Sequence, residues 1–164
     1  METGFGAREE AFAIENLSLG PLGTSYCANP VPNSPGAAGV LAIVGTTSLR
    51  LARVELRASS LPAATFGFSL TSQTQADVTG LPGSVGRLCL GGAVGRFVGP
   101  GQVQSTGSEG AFGLAVDLSA FPQPTGAVAV QPGETWSFQA WHRDVLSSGG
   151  LTSNLTSALA VTFP

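Results

Sequence analysis

Apolar residues in this chain recur two positions apart, and glycine or proline closes each such group within a few residues. Phe66, Phe68 and Leu70 alternate with Thr65, Gly67, Ser69 and Thr71, and Phe112, Leu114, Val116 and Leu118 repeat the pattern. Trp136, Phe138 and Ala140 follow it again, as do Leu159, Val161 and Phe163 at the end of the chain. A period of two belongs to strands with one buried face. No segment sustains a 3.6-residue period beyond two turns. The best helical stretch, 7–19, still places Phe12 with Ile14 and Leu17 with Leu19, as a strand does. With 23 glycines and 11 prolines in 164 residues, turns are plentiful. The expectation is an all-β chain forming a single antiparallel β-sandwich, jelly-roll or immunoglobulin-like, of about nine strands.

Two local patterns refine this. Residues 48–58 read as one strand with a phase break: Leu49 and Leu51 share a face, and then Val54, Leu56 and Ala58 share it. A bulge near Ala52 and Arg53 reconciles the two halves and turns Arg50, Arg53, Glu55 and Arg57 outward. Along 135–143, Trp136, Phe138 and Ala140 form the core face. Thr135, Ser137, Gln139, Trp141 and Arg143 form a polar one.

Charge is scarce and unevenly placed. Charged residues make up 10% of the chain, all seven basic residues are arginine, and the net charge is −3. Glu2, Arg8, Glu9, Glu10 and Glu15 account for all of it, and the six acids and six arginines after them cancel. Residues 1–24 therefore read as an acidic N-terminal segment ahead of a neutral sandwich at 25–164. Near-neutral surfaces do not repel their own copies. The carboxylates of Glu9, Glu10 and Glu15 complement the Arg50, Arg53 and Arg57 stripe, so the segment is expected as an added or exchanged strand.

The same arithmetic excludes several functions. Seven scattered arginines make no nucleic-acid footprint, and the longest apolar run, 40–44, is too short to insert in a membrane. One histidine and two cysteines exclude zinc fingers and iron–sulfur clusters. His142 has no G-x-S-x-G partner and is expected to cap a sheet edge or bond a backbone carbonyl. The Leu90-Gly91-Gly92-Ala93-Val94-Gly95-Arg96 stretch lacks the G-K-[ST] ending of a phosphate loop. No catalytic residue and no bound cofactor is expected. A structural calcium would have to draw on Asp144, Asp117 or Asp77, which form no D-x-D-x-D run.

Cys27 and Cys89 are expected as one disulfide, with two free core thiols as the alternative. A bridge of that span constrains the unfolded chain by roughly 4 kcal/mol. It also argues for an extracellular or cell-surface location, although Met1 is followed by acidic and small residues and not by a signal peptide. Trp141, between Gln139 and Arg143, is a candidate sugar platform or partner contact, with cover by the chain's own loops as the third option.

A series of short segments from residue 26 to the end carries a resemblance. They include Tyr26-Cys27 with Pro32-Asn33-Ser34, Ser72-Gln73-Thr74-Gln75, Leu88-Cys89-Leu90-Gly91-Gly92 and Gly95-Arg96-Phe97. Pro100-Gly101-Gln102-Val103, Gln131-Pro132-Gly133-Glu134-Thr135-Trp136, Phe138-Gln139-Ala140-Trp141-His142-Arg143-Asp144 and Ser153-Asn154-Leu155-Thr156 complete the series. In these the chain resembles a recurrent, poorly characterised domain at the C-termini of secreted multidomain proteins of environmental bacteria. That resemblance implies an extracytoplasmic β-sandwich appended to other domains, with no catalytic residues. The functional expectation is a non-catalytic module acting by protein contact, in assembly or adhesion, either with itself as a homo-oligomer or filament or with another partner. A carbohydrate-binding module for a cell-surface polysaccharide is second, and a small hydrolase third.

Overall fold

The computed structural model describes residues 22–27 and 29–164, and the described part is all-β, without a helix. Its strands are β1 (Thr24–Tyr26), β2 (Val40–Gly45), β3 (Val54–Ser59), β4 (Phe66–Ser72), β5 (Thr74–Val78), β6 (Leu88–Gly91) and β7 (Gly95–Arg96). They continue as β8 (Gln104–Ser105), β9 (Phe112–Val116), β10 (Phe121–Gln123), β11 (Gly126–Val128), β12 (Thr135–Val145), β13 (Leu151–Leu155) and β14 (Ala158–Thr162). Among the described residues there are fourteen strands where about nine are expected, because several of them are two or three residues long and carry no readable alternation.

The large sheet runs β1-β14-β12-β4-β7, with β13 also on β12 and β8 also on β4. A three-stranded sheet, β2-β3-β9, faces it, and every pairing is antiparallel. The result is an antiparallel β-sandwich with open edges. Leu41, Ile43, Val54, Leu56, Leu114 and Val116 from the small sheet meet Trp136, Phe138, Val161 and Phe163 from the large one. Phe121 lies at the centre of this core. Its ring meets Phe97, Trp136, Phe138 and Phe163 edge-on, at centroid distances of 4.9 to 6.3 Å. Edge-to-face contacts of this kind add to simple burial.

The expected long strand with a bulge does not form. Residues 46–53 are a loop between β2 and β3, closed by Thr46 N–H on the Arg53 carbonyl (2.9 Å) and by Leu51 and Ala52 N–H groups on Ser48 (both 3.1 Å). Ala52 takes a left-handed φ of 45° within it. At Gly45, with φ 117°, a Cβ would collide with the Arg53 carbonyl, so the chain must turn there. The apolar phase break is thus a hairpin loop in which Leu49 tucks against the core and Leu51 is 58% exposed. The helical stretch considered at 7–19 lies outside the described residues.

The alternation in β4 is oriented by its partner strand. Gly67, Ser69 and Thr71 look into the sandwich, while Phe66, Phe68 and Leu70 look outward. The register with β12 requires this: Thr71 pairs with Phe138 and Ser69 with Ala140, whose side chains are core. The outward face of the large sheet consequently carries aromatic residues that need cover of their own.

Candidate functional site

That cover comes from an arm. β5 and β6 form an irregular hairpin outside both sheets, pairing Thr74 with Gly91 and Gln75 with Leu90 and shifting before Val78 meets Leu88. The arm lies across the outer face of the large sheet and is fastened in three ways. Cys89 is bonded to Cys27, with Cα atoms 6.1 Å apart. Tyr26 donates its hydroxyl to the Cys89 carbonyl at 2.9 Å. Gln139, fully buried, accepts from Cys89 N–H (2.9 Å) and donates to the carbonyls of Arg87 (2.8 Å) and Thr156 (2.9 Å). Gln139 was expected on an open polar face as a contact residue. Instead its amide replaces the ladder bonds that the overlying arm cannot make with β12. A buried backbone group must find such a partner.

Beyond the arm the face opens. β12 places Trp141 opposite Phe68 of β4 and Leu155 of β13. The Trp141 and Phe68 rings stack with centroids 4.9 Å apart and planes 24° apart, and Phe66 leans on Trp141 at 5.9 Å. The Arg143 guanidinium sits 5.6 Å from the Phe66 ring centre and 5.5 Å from that of Trp141, within cation–π range. The Phe68 and Trp141 rings border a groove of about 510 Å3. Phe68, Leu70, Trp141 and Leu155 form its floor, and Leu81, Leu88 and Val94 its walls. Arg96, Ser84 and Ser153 stand at its polar rim, and no carboxylate lines it.

The wall at 81–86 is held onto β13 by Val85 N–H on the Ser153 carbonyl (2.9 Å) and Ser153 N–H on Gly83 (3.1 Å). Gly86 permits the approach, since a Cβ there would fall 2.6 Å from the Leu155 nitrogen. Outside the groove lining, Phe66 is 40% exposed, and the cross-strand pair Val145 and Leu151 is 44% and 77% exposed. An aromatic floor and an arginine rim make a site that can hold an apolar chain with an anionic group. Alternation in β4 was the signal for this floor, but it does not say which side of the sheet is outside.

The other candidate residues are not gathered into one site. Arg57 is paired with Glu55 through two bonds of 2.9 and 3.0 Å, both side chains being substantially exposed. Glu55 is accordingly held below the ordinary carboxylate range by the Arg57 hydrogen bonds and charge, against a smaller effect of burial. Arg50 and Arg53 are exposed on the 46–53 loop, so the expected three-arginine stripe is reduced to a loop pair and an occupied ion pair. Glu9, Glu10 and Glu15 lie outside the described residues. Asp77 pairs with Arg87, Asp117 accepts from Ser119, and Asp144 is buried elsewhere. Among the described residues no three His, Cys, Asp or Glu side chains come together as a metal would need.

His142 and Asp144 belong to a buried polar cluster on the opposite face of the same end of β12. Asp144 accepts from the backbone N–H of Ser34 (3.0 Å) and Val145 (2.8 Å) and from Asn154 (3.4 Å). Burial alone would raise its pKa, but these bonds outweigh burial and the carboxyl titrates below its ordinary value. His142 is fully buried, with Nδ1 3.3 Å from the Arg143 carbonyl, as one of the two expected roles required. Its Nε2 has no hydrogen-bond partner among the described residues and faces Gly39. Burial holds its pKa below the ordinary imidazole value, against the opposing effects of the Arg143 carbonyl and the Asp144 charge.

The chain matches no family model, no curated protein and no solved structure. Its function must therefore be argued from its own geometry. Disulfides of this kind form and persist in oxidising settings, and among the described residues no helix is long and apolar enough to cross a membrane.

Proposed function

We propose that this chain is a non-catalytic extracellular or cell-surface module that acts by protein contact, holding an apolar segment of a partner in the outer-face groove. The observation that carries this reading is an apolar groove on the large sheet that stays open beside the disulfide-fastened arm. Proteins seldom leave such a surface uncovered without use. An appended role on a larger secreted protein, implied by the resemblance, agrees with it.

Sugar stacking is the weaker reading. A sugar platform needs an open aromatic face, whereas Trp141 already stacks on Phe68 and carries Arg143 against its ring. The test uses tryptophan emission, since Trp136 is 1% exposed and ligands on the outer face report through Trp141. An extended synthetic peptide alternating leucine and glutamate should shift the emission saturably, and Val94→Asp should abolish the shift without unfolding the protein. Retardation in polysaccharide affinity gels that disappears in Trp141→Ala, with no response to the peptide, would overturn the reading in favour of carbohydrate.

A further inference from the structure

We infer that the occupant of the groove is the acidic N-terminal stretch, residues 1–21, of a second copy of this chain, so that copies join head to tail. This rests on the contact reading above and gives its partner an identity.

The first support is a charge ledger. Each of the six carboxylates in residues 22–164 already accepts a hydrogen bond: Glu55, Asp77, Glu109, Asp117, Glu134 and Asp144. Of the six arginines, only Arg57 and Arg87 hold a carboxylate among the described residues. The uncompensated cations include Arg96 at the groove rim and Arg143 on its aromatic edge. The net charge of −3 resides in Glu2, Glu9, Glu10 and Glu15, offset by Arg8, whereas the six acids and six arginines that follow sum to zero. One stretch of the molecule therefore has what the groove lacks.

The second support is pattern. The same stretch carries Phe12, Ile14, Leu17 and Leu19 at two-residue spacings, with Glu15 between the pairs. Apolar side chains for the floor and a carboxylate for the rim come in one short sequence. Of the three arginines expected as the target, Arg57 is occupied by Glu55, and Arg50 and Arg53 stand on a loop outside the lining of the aromatic-floored groove, whereas Arg96 rims it.

The third support is where the described chain begins. Leu22 packs against the core and donates its N–H to the Ile43 carbonyl of the small sheet at 2.8 Å, just before β1. β1 is one edge of the large sheet and β7, with Arg96, is the opposite edge. A stretch leaving beside β1 reaches its own groove, floored by β12, β13 and β4, only across β14 and around the tethered arm. A neighbour's groove presents neither obstacle, and 21 residues can extend about 70 Å. The body is neutral, so no long-range repulsion opposes the approach. Because the two contacting surfaces differ, the contact is heterologous and propagates into chains unless the rotation closes a ring.

The experiment uses the whole chain. Light scattering after size exclusion should show mass rising with protein concentration, and a synthetic peptide of residues 1–21 should reverse the rise. Arg96→Glu should weaken association about tenfold or more while leaving the circular dichroism unchanged. Reversing Glu9, Glu10 and Glu15 to arginine should weaken it alone and recover it when combined with Arg96→Glu. A monomer at all concentrations that ignores the 1–21 peptide overturns the inference. So does association that survives both Arg96→Glu and Val94→Asp, which would belong to another surface. A concentration-independent monomer that still protects its groove overturns the second copy in favour of the chain's own segment. If the leucine–glutamate peptide binds while the 1–21 peptide does not, this inference fails and the contact reading stands; if neither binds, both fail.

Discussion

The two faces of the large sheet solve the same problem by different means. The inner face is filled by side chains that alternate as the strands demand: Trp136, Phe138 and Ala140 from β12 close on Phe121 and the small sheet. The outer face carries Ser137, Gln139, Trp141 and Arg143 on the same strand, and it too is largely buried. Its cover is a hairpin held by one disulfide, one tyrosine hydroxyl and one glutamine amide. The inner face is stabilised by apolar area, the outer one by a few specific bonds. A face of the second kind can be left part open, and the groove lies where the arm stops.

Several measurements break or sharpen this contrast. The largest effect belongs to the inner face. Phe121→Ala removes the ring on which four others converge and should cost about 4 kcal/mol of unfolding free energy in a chemical denaturation curve. A loss below about 1 kcal/mol would mean that the core can collapse around the gap, and the inner face would not be the rigid one.

On the outer face, Cys27→Ser with Cys89→Ser should cost about 3 kcal/mol, short of the roughly 4 kcal/mol of the loop-entropy limit because measured disulfide effects commonly fall below it. Hydrogen exchange should localise the early loss of protection to β5 and β6, with β12 and β14 retaining theirs. Uniform loss across both sheets would show that the arm and the core are one cooperative unit. Gln139→Leu is similar in shape but leaves Cys89 N–H and two carbonyls unsatisfied, so about 2 kcal/mol should go, from the arm first. An unchanged midpoint would mean that water replaces the amide.

The smallest effect is a pH slope. The ordinary imidazole pKa is 6.5, and burial lowers that of His142 in the folded protein. The unfolded chain therefore takes up a proton that the folded one refuses, and stability falls as pH drops below about 6.5, by at most about 1.4 kcal/mol per unit. Asp144 acts in the same direction at lower pH, because its depressed pKa confers stability that is lost as the carboxylate protonates. With a single histidine in the chain, the upper slope should vanish in His142→Gln. A slope that survives this change would place the uptake elsewhere.

The fold class could be read because strand periodicity and turn residues act locally. β9 and the core half of β12 lie where alternation put them, and two cysteines in a charge-poor β chain form the expected bond. The site was half legible. Trp141 and Arg143 attracted attention as an aromatic and a cation on one face, and they do sit together at the groove. Gln139 was misplaced because alternation reports which residues share a face and not what lies over it. Residues 48–58 misled for a related reason: Leu49 and Leu51 look like strand residues, but the glycine-dependent turn at Gly45 and the left-handed Ala52 decide the path.

By itself the sequence determined an all-β, antiparallel sandwich with one cross-link and a neutral body behind an acidic leading stretch. Those properties follow from period, turn chemistry and charge count, none of which needs a distant partner. Only the tertiary structure decided that the aromatic side of β4 faces outward, that the arm carrying Cys89 crosses that face, and that the cover ends short of Trp141. These depend on strand register and on which segments meet across the sheet. Register is a property of pairs of strands, and neither strand of a pair encodes it alone.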